Sequence, residues 1–257
     1  MKFSQKTAFL IMLVSVSVFA QTPPTDSSQY QKHATVTETK GVLHIVANAP
    51  RPLDQVLEAL EIKYGWVIGY EDPQYLLPKD LVEGPSSAGS PAQRMPSGGS
   101  FSVEFPANAP DEEKTLHLIV DAYNHSRNPG QFEVRRGGEN IFYVVGTGER
   151  DEKGGIAQQS PPLDVQVTLA SEDRSLMDTL DLLCQEITKQ SHSDVVVAVS
   201  PRSLLMKTNA KIVGNKIQAR DLLLQVLAAT HRKLYWRALY DPASKGFLLN
   251  VHLLRVP

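Results

Sequence analysis

The sequence predicts an α+β fold with two tandem small domains, each of order β-α-β-β-α-β-β and with two helices packed on small mixed sheets. Apolar residues recur at helical spacing in four segments, and short β-branched or aromatic runs lie between them. The same order of elements returns about 120 residues later, as in an internal repeat. The sequence therefore indicates a duplicated unit.

The first predicted domain covers residues 41–145 and opens with a strand at 43–47. Pro52 follows, and proline is tolerated in the first turn of a helix. A helix is predicted next, because apolar side chains fall on one face of it, and Gly65 is expected to end it. The apolar face consists of Leu53, Val56, Leu57 and Leu60. A short strand at 66–70 follows the glycine.

The rest of the first half contains a second predicted helix between strands. Residues 83–100 are rich in Gly, Pro and Ser, so we expect a flexible insertion there. A strand is predicted at 101–105, and the acidic start at 110–113 suits the positive end of a helix dipole. The apolar face of this helix consists of Leu116, Ile119, Val120 and Tyr123. Strands at 131–136 and 141–145 end the half.

The second predicted domain, residues 163–257, repeats this order after a polar linker at 146–162. Ser175 and Asp178 have the spacing of a capping box, with Asp in place of the usual Glu. The helix that follows has an apolar side formed by Leu176, Leu180, Leu183, Cys184 and Ile187. The remaining predicted elements are strands at 165–169, 194–199, 210–213, 234–239 and 247–253, and a helix at 218–231.

The N-terminus has the pattern of a secretory signal peptide. Lys2 and Lys6 precede an apolar run at 8–19, which is shorter than the roughly 20 residues of a membrane span. We expect cleavage after Ala20, a flexible leader at 21–40, and a mature protein in the periplasm or secreted, with no membrane span.

Composition argues against several classes of partner. The formal net charge is -2, and loss of the two signal-peptide lysines makes it -4. Such a surface gives no electrostatic reason to bind nucleic acid or anionic lipid. Cys184 is the only cysteine, so no intramolecular disulfide is possible. Its place on an apolar helix face favours a buried hydrophobic role over a nucleophilic one.

The first half contains a leucine-spaced helix from Leu53 to Leu60, the helix end Lys63-Tyr64-Gly65, and a strand that ends near Asp72-Pro73. This pattern resembles the short N-terminal domain shared by secretins and TonB-dependent receptors. The resemblance covers most of 41–145, and a fainter version covers 163–254. It implies a periplasmic docking module that presents a sheet edge or a helix face to a partner protein. The long insertion and a missing helix-ending Gly at 189–192 depart from the pattern.

Chemical motifs are few. Asp121 and His125 lie four residues apart on a helix, and His192 is close to Asp194, but neither pair supplies the third and fourth ligands of a zinc site. The Gly-Thr-Gly at 146–148 is not followed by a helix, so it does not fit a phosphate-binding loop. We therefore assign no catalytic, cofactor or metal residue.

The function predicted is that of a non-catalytic interaction module whose partner is another envelope protein. Small sheets with a free edge accept a partner strand, and we expect such edges at the strands 141–145 and 247–251. Tyr235 and Trp236 are adjacent on a strand, so one of them must point outward. The candidate contact residues are Tyr235, Trp236, Ile141, Tyr143, Phe247 and Leu249.

Two alternative functions remain open. One is a hydrolytic enzyme that uses His and Asp residues brought together by the fold, with His125 and His231 as the residues to test. The other is a structural subunit of an envelope assembly, which differs from the interaction module in the permanence of its contacts.

Overall fold

A computed structural model describes residues 33–84, 94–108 and 110–254 of the chain. The predicted signal peptide, and the leader up to residue 32, lie outside these residues. The described chain contains the α-helices α1 (Pro52–Tyr64), α2 (Glu112–Asn124), α3 (Leu176–Ser191), α4 (Arg202–Lys207) and α5 (Ala219–Ala228).

The strands of the first half are β1 (Thr35–Thr39), β2 (Val42–Ala47), β3 (Val67–Glu71), β4 (Leu81–Glu83), β5 (Arg94–Pro96), β6 (Phe101–Pro106), β7 (Gln131–Gly138), β8 (Ile141–Arg150) and β9 (Ile156–Gln158). Those of the second half are β10 (Gln166–Ser175), β11 (Val195–Val197), β12 (Asn209–Gln218), β13 (Leu234–Asp241) and β14 (Gly246–Leu253). Helices and mixed sheets in one chain confirm the α+β class.

Local sequence signals explain how the helices begin and end. Pro52 opens α1, and Gly65 closes it in the left-handed region at φ 70°. The hydroxyl of Ser175 accepts a hydrogen bond from the backbone N–H of Asp178, so Ser175 is the N-cap of α3. The Asp178 carboxylate accepts from the Ser175 hydroxyl, whereas in a capping box it would accept from the backbone N–H. His192 takes the left-handed conformation after α3, at φ 57°, in the place where the repeat predicts a glycine.

The two halves use the same strand pairings. In the first half β2 pairs antiparallel with β6, β3 lies parallel to β8, and β7 is antiparallel to β8. In the second half β10 pairs antiparallel with β12, β11 lies parallel to β14, and β13 is antiparallel to β14. The two halves therefore share the order of their elements and these strand pairings.

One large sheet joins the halves in the order β11-β14-β13-β3-β8-β7, and β9 also pairs with β8. The junction is a parallel pairing of β13 with β3, in which Arg237 lies opposite Tyr70 and Ala238 opposite Glu71. At this junction, which we call the seam, the indole of Trp236 packs over Gly69. A Cβ at residue 69 would lie 2.6 Å from the Trp236 ring.

The large sheet is packed on both faces, because strand side chains alternate between them. Phe142 and Val144 of β8 belong to a hydrophobic core with α1 and α2. Tyr143 and Val145 of the same strand belong to a second core with α3 and α5. The strands of the first half therefore serve both cores.

Two arginines also connect the halves at the seam. Arg220 of α5 pairs with Glu71 at the end of β3 and with Asp164. Arg51, just before α1, donates to Asp72 at 2.6 Å and to the carbonyl of Tyr240 at 2.7 Å. Each carboxylate has a charged partner, which buried charges require.

Three segments differ from their predicted state, and the short helix α4 is an addition to the predicted elements. Residues 35–39, predicted as leader, form β1 against β2, and every residue of β1 is exposed. Within the segment 83–100, Arg94–Pro96 pairs with Leu81–Glu83, while 85–93 lie outside the described residues. The predicted linker 146–162 extends β8 to Arg150 and then supplies β9, which pairs with it.

Candidate functional site

A cleft of about 500 Å³ opens between α1 of the first half and the strands β13 and β14 of the second half. This volume lies in the range of small-molecule and peptide side-chain pockets. Its walls are formed by Glu58, Glu61, Ile62, Val199, Ser200, Pro201, Tyr235, Val251, His252, Leu253 and Leu254. We call this feature the cleft.

The floor of the cleft is held by Arg237. This residue is buried on β13 and ion-pairs with Asp54 and with Glu61 of α1, the second at 2.8 Å. It also donates to the carbonyl oxygen of Ile68 at 2.8 Å. Helix α1 is thereby fixed against a strand of the other half.

Glu61 is the most perturbed acid of the cleft. Its side chain is 1 % exposed, and burial raises its pKa to about 8 although Arg237 opposes the shift. One oxygen, Oε2, accepts from Arg237, whereas Oε1 has no hydrogen-bond partner among the described residues. A buried oxygen without a partner is energetically unfavourable, so a ligand donor at this position would be stabilising.

Aromatic rings form the wall beside Glu61. Tyr235 and His252 lie opposite each other on β13 and β14, and their rings stack with centroids 5.2 Å apart. The guanidinium of Arg237 lies 4.8 Å from the Tyr235 ring centroid. Burial raises the pKa of Tyr235 to about 12, and burial together with Arg237 lowers the pKa of His252. Both rings are therefore uncharged at neutral pH.

The rim of the cleft is apolar and open to solvent. Ile62, Val199 and Leu253 are 53 %, 52 % and 46 % exposed. A second hollow of about 290 Å³ between α1 and β1 shares Glu58 and Ile62 with the cleft. We call the joined surface the docking groove. It runs along the exposed side of α1 and combines apolar residues with the carboxylates of Glu58 and Glu61. In the second hollow it also includes Lys63, which pairs with Glu38.

No protein-family model, curated protein or solved structure matches the chain. The site must therefore be interpreted from its own geometry. Of the helices that the structure describes, none is long and apolar enough to span a membrane.

The predicted contact residues are mostly buried. Trp236, Tyr143, Phe247 and Leu249 face the core that α3 and α5 cover. Ile141 is partly buried and packs against the same core. Tyr235 reaches the cleft, so the predicted alternation with its neighbour Trp236 is confirmed. Partner binding at Tyr235 stays a prediction.

The expected free edges at 141–145 and 247–251 are corrected by the structure. Residues 141–145 lie in β8, between β3 and β7. Residues 247–251 lie in β14, between β11 and β13. Both segments already pair on two sides, because each is the central strand of its half.

The histidines and the cysteine are dispersed. His125 caps the end of α2, where its Nδ1 lies 2.7 Å from the carbonyl oxygen of Asp121. His231 lies in the turn after α5 and is exposed. Cys184 is buried, and burial raises its pKa to about 12. Among the described residues no group of three or more His, Cys, Asp or Glu side chains is placed to hold a metal ion.

Glu61, Arg237 and His252 were not selected from the sequence. A signal for two of them exists. Glu61 falls four residues after Leu57, on the apolar face of α1, and Arg237 falls between two buried residues of β13. A charged residue in such a position is rarely buried unless it is paired. Their joint occurrence indicates a contact between α1 and β13.

Proposed function

We propose that the chain is a non-catalytic interaction module of the periplasm or the secreted space, and that the docking groove binds another envelope protein. The observation that carries this proposal is the exposed apolar rim of the groove. Large aliphatic side chains that cluster at solvent, beside polar residues, are typical of protein contact sites. The predicted signal peptide supports the location.

Charge complementarity defines the partner. Glu58 and Glu61 line the cleft, and no Lys or Arg lies among its lining residues. Carboxylates beside an apolar rim fit an amphipathic segment that carries both aliphatic and basic side chains. The occupant we propose is such a segment of a second protein.

The repeated pairing scheme supports the further proposal that the chain consists of two related units, similar to the short N-terminal domains of secretins and TonB-dependent receptors. In those families the domain docks a partner in the periplasm. The seam explains why two units would act together, since the cleft needs α1 from the first and β13 and β14 from the second.

Photocrosslinking in the cells that produce the chain tests this function. A photoreactive amino acid is placed at Ile62 or Val199 in the groove, or at Leu118 on α2, which is 49 % exposed and serves as the matched control. We expect one discrete adduct from the groove positions, whose crosslinked peptide is aliphatic and basic, and none from residue 118. Equal labelling at all three positions, or no adduct at residues 62 and 199, would refute the proposal.

The hydrolase alternative is favoured by one observation. A carboxyl group with a raised pKa lies in the same cleft as the imidazole of His252, and perturbed acids cluster at active sites. His252→Ala separates the two functions. Loss of turnover on a panel of ester, amide and glycoside substrates would support the enzyme, and intact crosslinking at residue 62 would support the module.

A further inference from the structure

The floor of the cleft has the features of a site for a positively charged amine. We propose that it binds a primary ammonium group on an apolar chain, such as a lysine side chain of the partner, between the carboxylates of Glu58 and Glu61. This inference rests on the proposed function, because it names the chemistry of the bound segment.

Geometry supplies the first argument. Glu58 and Glu61 lie three residues apart on α1 and therefore project from the same side of the helix. The Oε1 atom of Glu61 is buried without a hydrogen-bond partner, while Oε2 is engaged by Arg237. An ammonium group has three donors and no acceptor, so it can satisfy Oε1 and reach a second carboxylate at the same time.

The balance of charge supplies the second argument. Arg237 faces two carboxylates, those of Asp54 and Glu61, so it neutralises only one of them when both are ionised. Glu58 adds a further negative charge at the rim, where it is in contact with His33 at 3.2 Å. Once Glu61 is ionised, a bound cation completes the balance, whereas a carboxylate or phosphate ligand is repelled.

The walls suit the rest of such a ligand. The methylenes of an alkyl chain can lie along Ile62, Val199 and Leu253 at the rim. The ring of Tyr235 offers its face to a cation, as it already does to Arg237. His252 is uncharged at neutral pH, because burial and Arg237 lower its pKa, so it adds no repulsion.

Competition between the ammonium group and a proton should make the affinity of the site depend on pH. Burial raises the pKa of Glu61 to about 8, so below that pH the ammonium must displace a proton from the carboxyl group. The affinity for an amine should then rise by nearly tenfold from pH 6 to pH 7 and by about fivefold from pH 7 to pH 8, where the carboxyl group is half ionised. The other charged or titratable groups that face Glu61 are Asp54 and Glu58 of α1, and Tyr235, Arg237 and His252 of the strands.

The test is a titration of the full chain with n-hexylammonium, followed by NMR of the Ile, Leu and Val methyl groups. We expect the methyl signals of Ile62, Val199 and Leu253 to shift, and the dissociation constant to fall about fiftyfold from pH 6 to pH 8. In Glu61→Gln the affinity at pH 8 should drop at least tenfold and lose its pH dependence. n-Hexanol is the matched uncharged probe.

Equal binding of n-hexanol, or a pH-dependent affinity that survives in Glu61→Gln, would overturn the ammonium site. Should Glu61→Gln fail to fold, Glu58→Gln is the second variant, because the Glu58 side chain is 31 % exposed. We expect Glu58→Gln to lose affinity several-fold, and an unchanged affinity would count against the site. A groove that crosslinks a partner at residue 62 but ignores n-hexylammonium would refute this inference alone. Amine binding without any crosslink would refute the docking function alone.

Discussion

Replacing Glu61 with glutamine should change how the stability of the protein depends on pH. Burial raises the pKa of this carboxyl group from 4.5 to about 8 in the folded chain. The folded state therefore holds a proton between these pH values that the unfolded state has released. By linkage, this group's contribution to the free energy of unfolding is complete below pH 4.5 and is lost as the pH rises through 8. Glutamine does not titrate, so the variant lacks this loss.

The magnitude follows from the two pKa values. At about 1.4 kcal/mol per pKa unit, the full difference is on the order of 5 kcal/mol, of which about 4 kcal/mol falls between pH 5 and pH 9. The side chain is 1 % exposed, so solvent screening reduces this figure little. We expect the glutamine variant to gain up to about 4 kcal/mol relative to the original chain over that range.

Urea unfolding at pH 5, 7 and 9, followed by tryptophan fluorescence, measures the effect. Trp236 is buried at the seam, so its fluorescence should report global unfolding. The matched control is Glu58→Gln on the same helix, which removes a carboxylate that is 31 % exposed instead of buried. If the free energies of unfolding of the Glu61 variant and the original chain change equally between pH 5 and pH 9, the buried carboxyl group does not titrate in this range.

Two further predictions concern the packing of the halves. Gly69→Ala places a Cβ 2.6 Å from Trp236, so it should lower the free energy of unfolding by about 1–3 kcal/mol. The control Gly138→Ala, where the nearest neighbour of the added Cβ is 3.9 Å away, should not lower it. Calorimetry distinguishes the two variants, and equal melting temperatures would contradict the seam packing. Arg220→Met leaves the buried carboxylate of Glu71 without its cation and should cost about 3–5 kcal/mol in urea unfolding, against less than about 0.5 kcal/mol for the exposed Arg136→Met. A cost for Arg220→Met no larger than that control would show that the ion pairs are dispensable.

The helices were the most predictable part of the fold. Each of α1, α2 and α3 carries its apolar residues at a period near 3.6, and end signals such as Gly65 and Ser175 act within a few residues. These signals are local, so the sequence alone suffices to place them.

Strand neighbours were harder to predict, because pairing depends on distant residues. The segment 141–145 was placed at an edge, although all its side chains are apolar, and a strand with two apolar faces is typical of the centre of a sheet. The junction of β3 with β13 joins residues far apart in the chain, and no spacing rule connects them. The cleft depends on this junction, so it was not predictable either.

The candidate site shows the same limit in a single residue. Tyr235 was selected because adjacent aromatic residues on a strand face opposite ways, which is a local rule. Glu61 was not, since its burial results from Arg237 and the strands of the other half. Pairing between charges far apart in the chain therefore buries Glu61, and local spacing does not reveal it.

The parallel pairing across the seam also limits how this chain can be shortened. A fragment that ended near residue 160 would leave backbone amides and carbonyls of β3 without their partners in β13. It would also leave Asp54, Glu61 and Glu71 without their guanidinium partners. Exposed strand borders of this kind promote self-association. Each half covers a strand edge of the other. We therefore expect a chain that lacks either half to form inclusion bodies and not a smaller folded protein.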